Sequence, residues 1–375
     1  MGFELVEEAM HQAVAQGVFP GAVLLVRAGE SFFYLRAFGY RSLLPERTPM
    51  HEDTIFDVAS LTKPLATTVA VMLLVKEGKL RLDDRVSRFF PNFGVHGKGY
   101  ITFRQLLSHC SGLPASKPYY KEVLAEEQRR GRVNFLGTSA AKAFVYQRIE
   151  RERTEAEPGT RALYSDLGFM LLGAAVEQLS GMTLDRFCQD RIFRPLGLRT
   201  TGFVDLALLR ARRLEPVTEW IAPTEQCPWR KKILWGEVHD DNAYAMGGVA
   251  GHAGLFSSAR DIDTILCRLE ESYYNVGRMI PQRLIREFWT RDPTVPDSTW
   301  CLGWDSPSPQ GSSAGRYFSP NSVGHLGFTG CSVWVDLDRH CHVILLSNRV
   351  HPYRDNDGIK AFRPYLHDLV REALG

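Results

Sequence analysis

The sequence lacks the features that mark several large classes of protein. Its 375 residues contain 45 lysines and arginines against 43 aspartates and glutamates, and its basic runs are short and mixed with acids. Nothing in this charge pattern indicates nucleic-acid binding. No Cys-x-x-Cys pair and no His-Glu-x-x-His motif occurs, no internal repeat is evident, and no apolar run is expected to cross a membrane. The composition is that of an ordinary globular protein.

Cysteine use and the N-terminal segment predict a location. The seven cysteines are scattered and odd in number, which fits a reducing compartment better than a disulfide framework. Residues Phe3 to Gln16 predict an amphipathic helix that carries three glutamates, without the basic start and apolar centre of a signal peptide. We therefore expect a cytoplasmic protein.

Strand-like segments are concentrated at the two ends of the chain. Residues 21–27 and 31–36 predict a hairpin, and residues 323–328, 332–336 and 342–347 predict three further strands before a closing helix at 357–374. Helical spacing dominates the middle, over 62–77, 102–109, 139–152, 167–179, 183–190 and 259–273. The polar, proline-containing stretches 114–134, 204–232 and 292–320 are expected to be loops or covers of a cleft.

This pattern predicts an α+β fold. An antiparallel sheet would form from both ends of the chain, flanked by helices, with a mainly helical domain inserted between them. Residues 1–60 and 275–375 would make up the discontinuous sheet domain, and residues 61–274 the helical one. A pocket is expected at the seam, next to Ser60.

The most informative motif is Ser60-x-x-Lys63. The preceding residues are strand-like and the following ones are apolar up to Gly78, so Ser60 is predicted to open a helix, with Pro64 in its first turn. Residues three apart share a helix face, which places a hydroxyl nucleophile beside an amine. The alternative for Ser60 is a simple helix cap, so the interpretation depends on companion residues.

The chain contains a second Ser-x-x-Lys, at Ser139 and Lys142. Thr138 or Ser139 follows Gly137 and starts a helix rich in charge, so a helix cap with an exposed lysine is the favoured interpretation there. Spacing alone therefore does not identify a nucleophile.

Two further motifs accompany Ser60. Tyr164-Ser165-Asp166 precedes an apolar helix, and Gly324–Gly330 contains a His-x-Gly triplet at His325 on a predicted strand. The order Ser-x-x-Lys, Tyr-x-Asn-like, His-x-Gly resembles the serine β-lactamase and DD-peptidase superfamily. The segments 106–114, 247–258 and 347–352 are similar to segments of superfamily members near class C β-lactamases, family VIII esterases and related cell-wall amidases.

Chemistry and resemblance together suggest roles for these residues. Ser60 would attack an ester or amide carbonyl, Lys63 or an ionised Tyr164 would take its proton, and Tyr164 would protonate the leaving group. The resemblance implies His325 as a substrate-facing group near Tyr164 and an oxyanion hole from the backbone N–H groups of Ser60 and Phe328. It further implies three substrate-binding residues: Asp166, Leu326 and Gly327.

Two features complicate this assignment. Asp166 stands where asparagine is usual, and its carboxylate could raise the pKa of Lys63, which opposes a base role and disfavours β-lactam hydrolysis. His252, in Gly251-His252-Ala253-Gly254, repeats the Gly-His-x-Gly form, but it lies in a glycine-rich turn, so His325 is preferred and His252 is expected to brace a loop.

Other candidate sites have weaker support. Gly311-Ser312-Ser313-Ala314-Gly315 matches a nucleophile elbow but lies in a loop, and neither 239–241 nor 340–342 has metal-ligand spacing. We therefore expect no metal and no cofactor. Three tryptophans have two interpretations, lining a cleft or packing in the core, and the sequence does not favour the cleft: Trp229, Trp235 and Trp304.

The sequence thus predicts a serine hydrolase that is acylated at Ser60 and acts on a small ester or amide, with carboxylesterase activity first. The alternative is a β-lactamase, amidase or peptidase acting on muropeptide-like cell-wall fragments. A third hypothesis, from another class, is a ligand-binding relative in which Asp166 has disabled Lys63. The partner is in each case a small molecule, with neither nucleic acid nor membrane expected, and the oligomeric state stays open.

Overall fold

The central element of the protein is an antiparallel sheet assembled from both ends of the chain. The computed structural model describes residues 2–131 and 134–375. Within them, six strands pair in one sheet, so the N-terminal hairpin lies directly beside the C-terminal strands. Their order across the sheet is Thr48–Pro49, Phe32–Ser42, Gly21–Ala28, Cys341–Ser347, Ser332–Asp336 and Ser322–Leu326. The α+β fold predicted from the sequence is confirmed.

The helices and strands have the following bounds. The helices are α1 (Glu4–Ala15), α2 (Val69–Lys76), α3 (Phe103–Leu107), α4 (Tyr119–Arg130), α5 (Ser139–Glu150), α6 (Asp166–Ser180), α7 (Leu184–Cys188), α8 (Leu206–Ala211), α9 (Asp241–Ala245), α10 (Ala259–Tyr273), α11 (Gln282–Phe288) and α12 (Ile359–Leu374). The strands are β1 (Gly21–Ala28), β2 (Phe32–Ser42), β3 (Thr48–Pro49), β4 (Phe56–Asp57), β5 (Gly202–Phe203), β6 (Gln226–Cys227), β7 (Lys232–Ile233), β8 (Leu255–Ser257), β9 (Ser322–Leu326), β10 (Ser332–Asp336) and β11 (Cys341–Ser347).

Alternation of side chains along the sheet creates two separate cores. On β1, Leu24 and Val26 pack with α1 and α12 on one face, while Val23 and Leu25 join the larger core under the helical region. Strands buried on both faces become continuously apolar, which explains the unbroken run Gly21–Val26. The sheet therefore carries helices on both sides and presents the end of β9 toward the helical region.

Ser60 lies in the first turn of a continuous helical segment, as expected, but that segment is not regular. Residues 59–61 form a tight 3₁₀ turn, residues 63–68 form a wide π turn, and only α2 is α-helical. Pro64 has no N–H to bond the carbonyl of Ser60, so a normal α-turn is blocked at this point. Gly78 follows α2 at a φ of 69°, as the predicted C-terminal cap requires.

This same segment corrects one expectation. Residues Ala59–Lys76 are long and apolar enough to cross a membrane by length and composition, although no such run was expected from the sequence. However, 83% of the segment is buried inside the protein, and a buried core helix passes the same test. The segment is the central helix of the larger core.

Two of the predicted loops contain regular structure. The stretch 114–134, of which residues 132 and 133 lie outside the described residues, includes α4, and 204–232 includes α8, β6 and the start of β7, so neither stretch is entirely loop. Helix α4 escaped notice because it is strongly polar, yet Tyr119 and Val123 bury one edge of it against the core. The predicted domain boundaries at residues 60 and 275 stay a prediction.

A buried ion-pair network joins α10 to the sheet. Arg27 on β1 donates two hydrogen bonds to Asp263, at 2.7 and 2.6 Å. His342 on β11 contacts Asp263 at 2.9 Å and Glu270 at 2.8 Å. Although burial opposes the charged form, Glu270 and Asp263 raise the pKa of His342 to about 9. The imidazolium is therefore part of the link between helix and sheet.

Replacing His342 with glutamine should destabilise the protein in a pH-dependent way. Because the folded-state pKa is raised from 6.5 to about 9, the imidazolium contributes fully below pH 6.5 and its contribution is lost as the pH rises through 9. A rise of that size corresponds to roughly 3 kcal/mol. Urea unfolding at pH 6 should show a loss of this order, and the gap to wild type should shrink by at least half at pH 9.5. An equal gap at both values would contradict a charged His342.

Candidate active site

Ser60 and Lys63 meet at the start of the central helix. The Nζ atom of Lys63 lies 3.0 Å from Ser60 Oγ, and Lys63 is completely buried. The same ammonium donates to the carbonyl of His252 at 3.1 Å and pairs with Asp166 at 2.7 Å. The hydroxyl and amine predicted from the sequence are therefore in direct contact, and a carboxylate also contacts the amine.

Tyr164 and Asp166 are brought to this pair by the start of α6. Ser165 caps that helix, its hydroxyl accepting the N–H of Gly168 at 3.4 Å and donating to the carbonyl of Pro114 at 2.7 Å. This cap lies between Tyr164 and Asp166 and directs both toward Lys63. The lysine Nζ lies 4.8 Å from the centre of the Tyr164 ring, and Tyr164 borders the same cavity as Ser60.

The neighbours of Lys63 decide its charge. Burial alone lowers the pKa of Lys63, but the charge of Asp166, followed by Tyr164, outweighs burial and raises it. Burial also raises the pKa of Tyr164, although Lys63 opposes that rise. At neutral pH the site thus rests with Lys63 protonated and Tyr164 as a phenol. Asp166 thus raises the pKa of Lys63, which is the effect expected from the sequence to oppose a base role of Lys63.

His325 enters the site from β9 as a neutral ring. Its Nδ1–H donates to the carbonyl of Leu326 at 2.8 Å, which leaves the Nε2 lone pair as an acceptor. Burial, with Lys63 adding to the effect, lowers the pKa of His325 to about 3. In the described part of the chain Nε2 has no partner, and the ring centre lies 6.0 Å from that of Tyr164. The ring offers a substrate one hydrogen-bond acceptor.

Phe328 follows the triplet and lies where two cavities meet. A cavity of about 620 Å³ reaches from Ser60 and Tyr164 to Trp300, and a second, of about 340 Å³, continues past Tyr120. Ser60 and Phe328 border both, while His325, Leu326, Gly327 and Asp166 border the first. Within residues 2–131 and 134–375, the backbone N–H of Phe328 makes no hydrogen bond. It is available to a ligand in the cleft.

The glycine of the His-x-Gly triplet allows the strand to reach the nucleophile. A Cβ atom on Gly327 would lie 2.5 Å from the carbonyl oxygen of Val58, two residues before Ser60. That separation is too short for any side chain, so only glycine permits this approach. The triplet and the Ser60 turn are thereby held in contact.

Asp57 organises the turn before Ser60 and was not singled out in the sequence. Its carboxylate accepts the N–H of Ala59 at 2.9 Å and that of His239 at 2.6 Å, while its carbonyl accepts the Thr329 hydroxyl at 2.7 Å. Ala59 is held at a φ of +48°, an uncommon conformation for a residue with a side chain. An acidic residue three positions before a nucleophile was the available signal, but its partners come from distant segments.

His252 braces the glycine-rich loop. Its ring contacts Asp240 at 2.9 Å, and its backbone carbonyl, not its side chain, contacts Lys63. Burial opposes ionisation of Asp240, but His252 outweighs it and holds the pKa of Asp240 far below its usual range. Asp240 borders both cavities, so this pair fixes part of their lining.

The second Ser-x-x-Lys has a structural role. Thr138 caps α5 by accepting the N–H of Ala141 at 3.2 Å, as expected. Lys142 is not exposed, contrary to expectation: its side chain is 13% exposed and pairs with Glu177. In the described residues no bond joins Ser139 to Lys142. This group provides a natural comparison for Ser60 and Lys63 within the same chain.

The remaining candidates also find their places. Trp304 is buried in the core, Trp229 stacks on Tyr120 behind the smaller cavity, and Trp235 donates to the carbonyl of Ile221. The larger cavity is instead bordered by Trp300, which was not among the tryptophans singled out in the sequence. Ser313 lies in a loop where its carbonyl accepts the ring N–H of His367.

One group in the described part of the chain has side chains close enough to share a metal ion: Asp263, Cys267 and His342. Asp263 is already occupied there by Arg27 and His342, so the group serves as the ion-pair network described above. Within the described residues, 239–241 form no such group, and of the segment 340–342 only His342 belongs to one.

Geometry and fold together define a serine hydrolase of the β-lactamase type. The chain belongs to the Beta-lactamase family, whose model matches residues 6–363. It is 32% identical over 354 residues to a protein of Escherichia coli (strain K12) provisionally named D-alanyl-D-alanine carboxypeptidase, covering 89% of this chain and 79% of that one. The predicted superfamily and the serine hydrolase class are confirmed.

Solved structures show the same fold. EstCE1, a hydrolase with promiscuous acyltransferase activity, superposes with a TM-score of 0.71 at 22% identity, covering 98% of this chain and 97% of that one. The octameric penicillin-binding protein homologue from Pyrococcus abyssi gives 0.69 at 22% identity, covering 98% and 78%. These likenesses support the fold and leave the substrate open.

Proposed function

We propose that this protein hydrolyses small esters or amides through an acyl-enzyme on Ser60, with carboxylesters as the preferred substrates. The observation that carries the proposal is the contact between Ser60 Oγ and Lys63 Nζ at 3.0 Å, with Asp166 at 2.7 Å from the same amine. A serine hydroxyl becomes a useful nucleophile when a base lies within hydrogen-bond reach. The neutral His325 and the wide cleft suit an uncharged acyl group.

The proposed reaction proceeds in two halves. Neutral Lys63, populated as the pH rises, takes the proton of Ser60 while Oγ attacks the carbonyl carbon. The N–H groups of Ser60 and Phe328 stabilise the oxyanion. The bond to the leaving group breaks as Tyr164 donates a proton to it, and the Lys63 ammonium passes the Ser60 proton on to Tyr164, which leaves an ester on Ser60. Water then attacks the ester carbonyl while neutral Lys63 takes a proton from it, and Ser60 Oγ leaves with that proton as the carboxylic acid is released.

A second candidate is a carboxypeptidase or amidase acting on cell-wall-derived peptides. The curated relatives are provisionally named D-alanyl-D-alanine carboxypeptidase. In addition, three cations border the larger cavity, although each already has partners, backbone carbonyls for the two arginines and Asp357 for the lysine: Arg349, Arg363 and Lys360. Esters remain the first candidate because Asp166 holds Lys63 in its protonated form, and an ester has the better leaving group.

Intact-mass spectrometry tests both candidates. The protein is incubated separately with each of four reagents: a fluorophosphonate, p-nitrophenyl butyrate, nitrocefin and a muropeptide pool. Any adduct is mapped by proteolysis. We expect one adduct per chain, on Ser60, and turnover of the ester above that of nitrocefin. Ser139→Ala should label normally, whereas Ser60→Ala should not label.

The outcomes separate the hypotheses. Release of D-alanine from the muropeptides at a rate above ester turnover would make the carboxypeptidase the function. Absence of both adduct and turnover would favour the ligand-binding hypothesis and overturn the enzymatic proposal. Normal turnover by Ser60→Ala would show that the nucleophile is assigned wrongly.

Replacing Asp166 with asparagine should shift the acid limb of the pH–rate profile to lower pH. Burial lowers the pKa of Lys63, and the Asp166 carboxylate is the strongest of the groups that raise it, so removal of its charge should lower that pKa. We expect a shift of at least one pH unit in kcat/KM for p-nitrophenyl butyrate, which reports ionisations of the free enzyme. A large gain in nitrocefin turnover would show that the carboxylate disfavours β-lactams.

Glu177→Gln is the matched control. It removes the carboxylate from Lys142 in the second Ser-x-x-Lys and should leave the profile unchanged. If the acid limb of the pH–rate profile does not move in Asp166→Asn, that limb does not report the ionisation of Lys63.

We further propose that the protein functions in the cytoplasm. All seven cysteines are free and six are buried, which supports a reducing compartment. Fractionation of cells of the source organism, with detection by antibody, tests this; recovery from an oxidising compartment would contradict it.

A further inference from the structure

His109 makes two hydrogen bonds that bracket Tyr164. Its backbone carbonyl accepts the N–H of Leu163 at 2.8 Å, and its ring Nδ1 accepts the N–H of Ser165 at 3.0 Å. The residues before and after Tyr164 are thus bonded to one and the same histidine. His109 belongs to the segment 106–114, which carries part of the family resemblance but has no role in the proposed reaction.

The ring of His109 also packs directly on Tyr164. The two ring centres are 4.7 Å apart, and Trp300 contacts both, at 4.4 Å from His109 and 5.5 Å from Tyr164. Phe169 completes the support at 5.2 Å from His109. His109 is only 1% exposed and borders neither cavity. It therefore fixes both the backbone and the ring plane of Tyr164 from the side away from the substrate.

Two features make histidine specific for this position. Its backbone has a φ of +56°, a conformation that asparagine, aspartate and histidine adopt more readily than bulky residues. Because Nδ1 accepts a hydrogen bond from the backbone, the ring must be neutral with its proton on Nε2. Burial, followed by Lys63, holds the pKa of His109 well below its usual value, so this state persists across the assay range.

We propose that His109 is a positioning residue that places the Tyr164 hydroxyl for proton donation to the leaving group. The inference rests on the proposed function, because it assumes that Tyr164 takes part in the reaction. Errors of about 1 Å in a reacting group can cost about 100-fold in rate. Loss of the Nδ1 acceptor would leave the Ser165 N–H unpaired and release the segment that carries Tyr164.

Two substitutions separate the hydrogen bond from the packing. His109→Phe keeps a ring but removes the acceptor, whereas His109→Asn loses the ring but keeps an acceptor, since Oδ1 occupies the same covalent position as Nδ1. We expect His109→Phe to lower kcat for ethyl butyrate, whose leaving group needs a proton, by about 10- to 100-fold. His109→Asn should stay within about five-fold of wild type, since it keeps the acceptor. KM should change little in either variant.

A double-mutant cycle with Tyr164→Phe provides the decisive readout. If His109 acts through the Tyr164 hydroxyl, His109→Phe should cost less than about three-fold once that hydroxyl is absent. An equal loss in both backgrounds, or a His109→Asn variant as slow as His109→Phe, would overturn this inference alone. A Tyr164→Phe enzyme with unchanged kcat would overturn the proposed role of Tyr164 and this inference with it. If His109→Phe does not fold, His109→Gly, which accepts the positive φ, takes its place in the cycle.

Discussion

Replacing Lys63 with methionine should lower the rate of Ser60 acylation by about 10³- to 10⁴-fold, the upper range for loss of a general base. Methionine nearly matches the length of the lysine stem but carries no amine, so the Ser60 proton loses the acceptor that lies 3.0 Å away. The measurement is the second-order rate of fluorophosphonate labelling together with kcat/KM for p-nitrophenyl butyrate. Both should fall in parallel, because both begin with attack by Ser60.

Lys142→Met is the matched control for this prediction. Lys142 is also part of a Ser-x-x-Lys and also pairs with a carboxylate, but its partner is Glu177 and it makes no bond to Ser139 in the described structure. Its replacement should leave both rates within about two-fold, since surface and structural substitutions away from the site change no reacting group. Retention of more than a tenth of the rate in Lys63→Met would move the base to Tyr164, the alternative that the sequence left open.

The parts of the site that sequence could predict are those with local geometry. Ser60 and Lys63 are three residues apart on one helical segment, so their contact follows from helix spacing. The irregular turn between them does not follow from that spacing, since an ideal α-helix was expected around Pro64. The irregularity follows from the proline, because Pro64 has no N–H to donate to the carbonyl of Ser60.

Tyr164 and His325 required more than spacing. They lie about 100 and 260 residues from Ser60 and are recognisable by the order of motifs, which resemblance supplied. Their protonation states came from the structure alone: the carbonyl of Leu326 selects the tautomer of His325, and Asp166 decides the charge of Lys63. Asp166 was predicted to oppose a base role of Lys63, and in the structure its carboxylate lies 2.7 Å from the Lys63 amine.

Several supporting groups could not have been predicted from one sequence. The carbonyl of His252 contacts Lys63, and a backbone oxygen has no signature in the residue letters. Asp57 and His109 act through backbone N–H groups of segments far away in the chain. Trp300 lies in a stretch whose loop composition gave no reason to prefer it over the six other tryptophans. These contacts depend on how segments pack, which composition and periodicity do not encode.

Replacing Tyr164 with phenylalanine should have an effect that grows with the pKa of the leaving group. For p-nitrophenyl butyrate, whose leaving group departs without a proton, we expect a loss of no more than about ten-fold, whereas ethyl butyrate should lose about 10³-fold, within the range of general acid catalysis. The measurement is kcat across a series of butyrate esters, plotted against leaving-group pKa. The slope should be steeper in the variant, because alkoxides then leave unprotonated.

Tyr146→Phe is the appropriate control, because Tyr146 lies beside Lys142 and Glu177 much as Tyr164 lies beside Lys63 and Asp166. Burial raises the pKa of both tyrosines, so the two substitutions remove chemically similar phenols. Only the Tyr164 variant should change the slope. Parallel lines for wild type and Tyr164→Phe would mean that Lys63, charged after it takes the Ser60 proton, passes that proton to the leaving group directly. The tyrosine hydroxyl would then only orient Ser60 and Lys63, and the same three side chains would carry out the reaction with one acid–base residue instead of two.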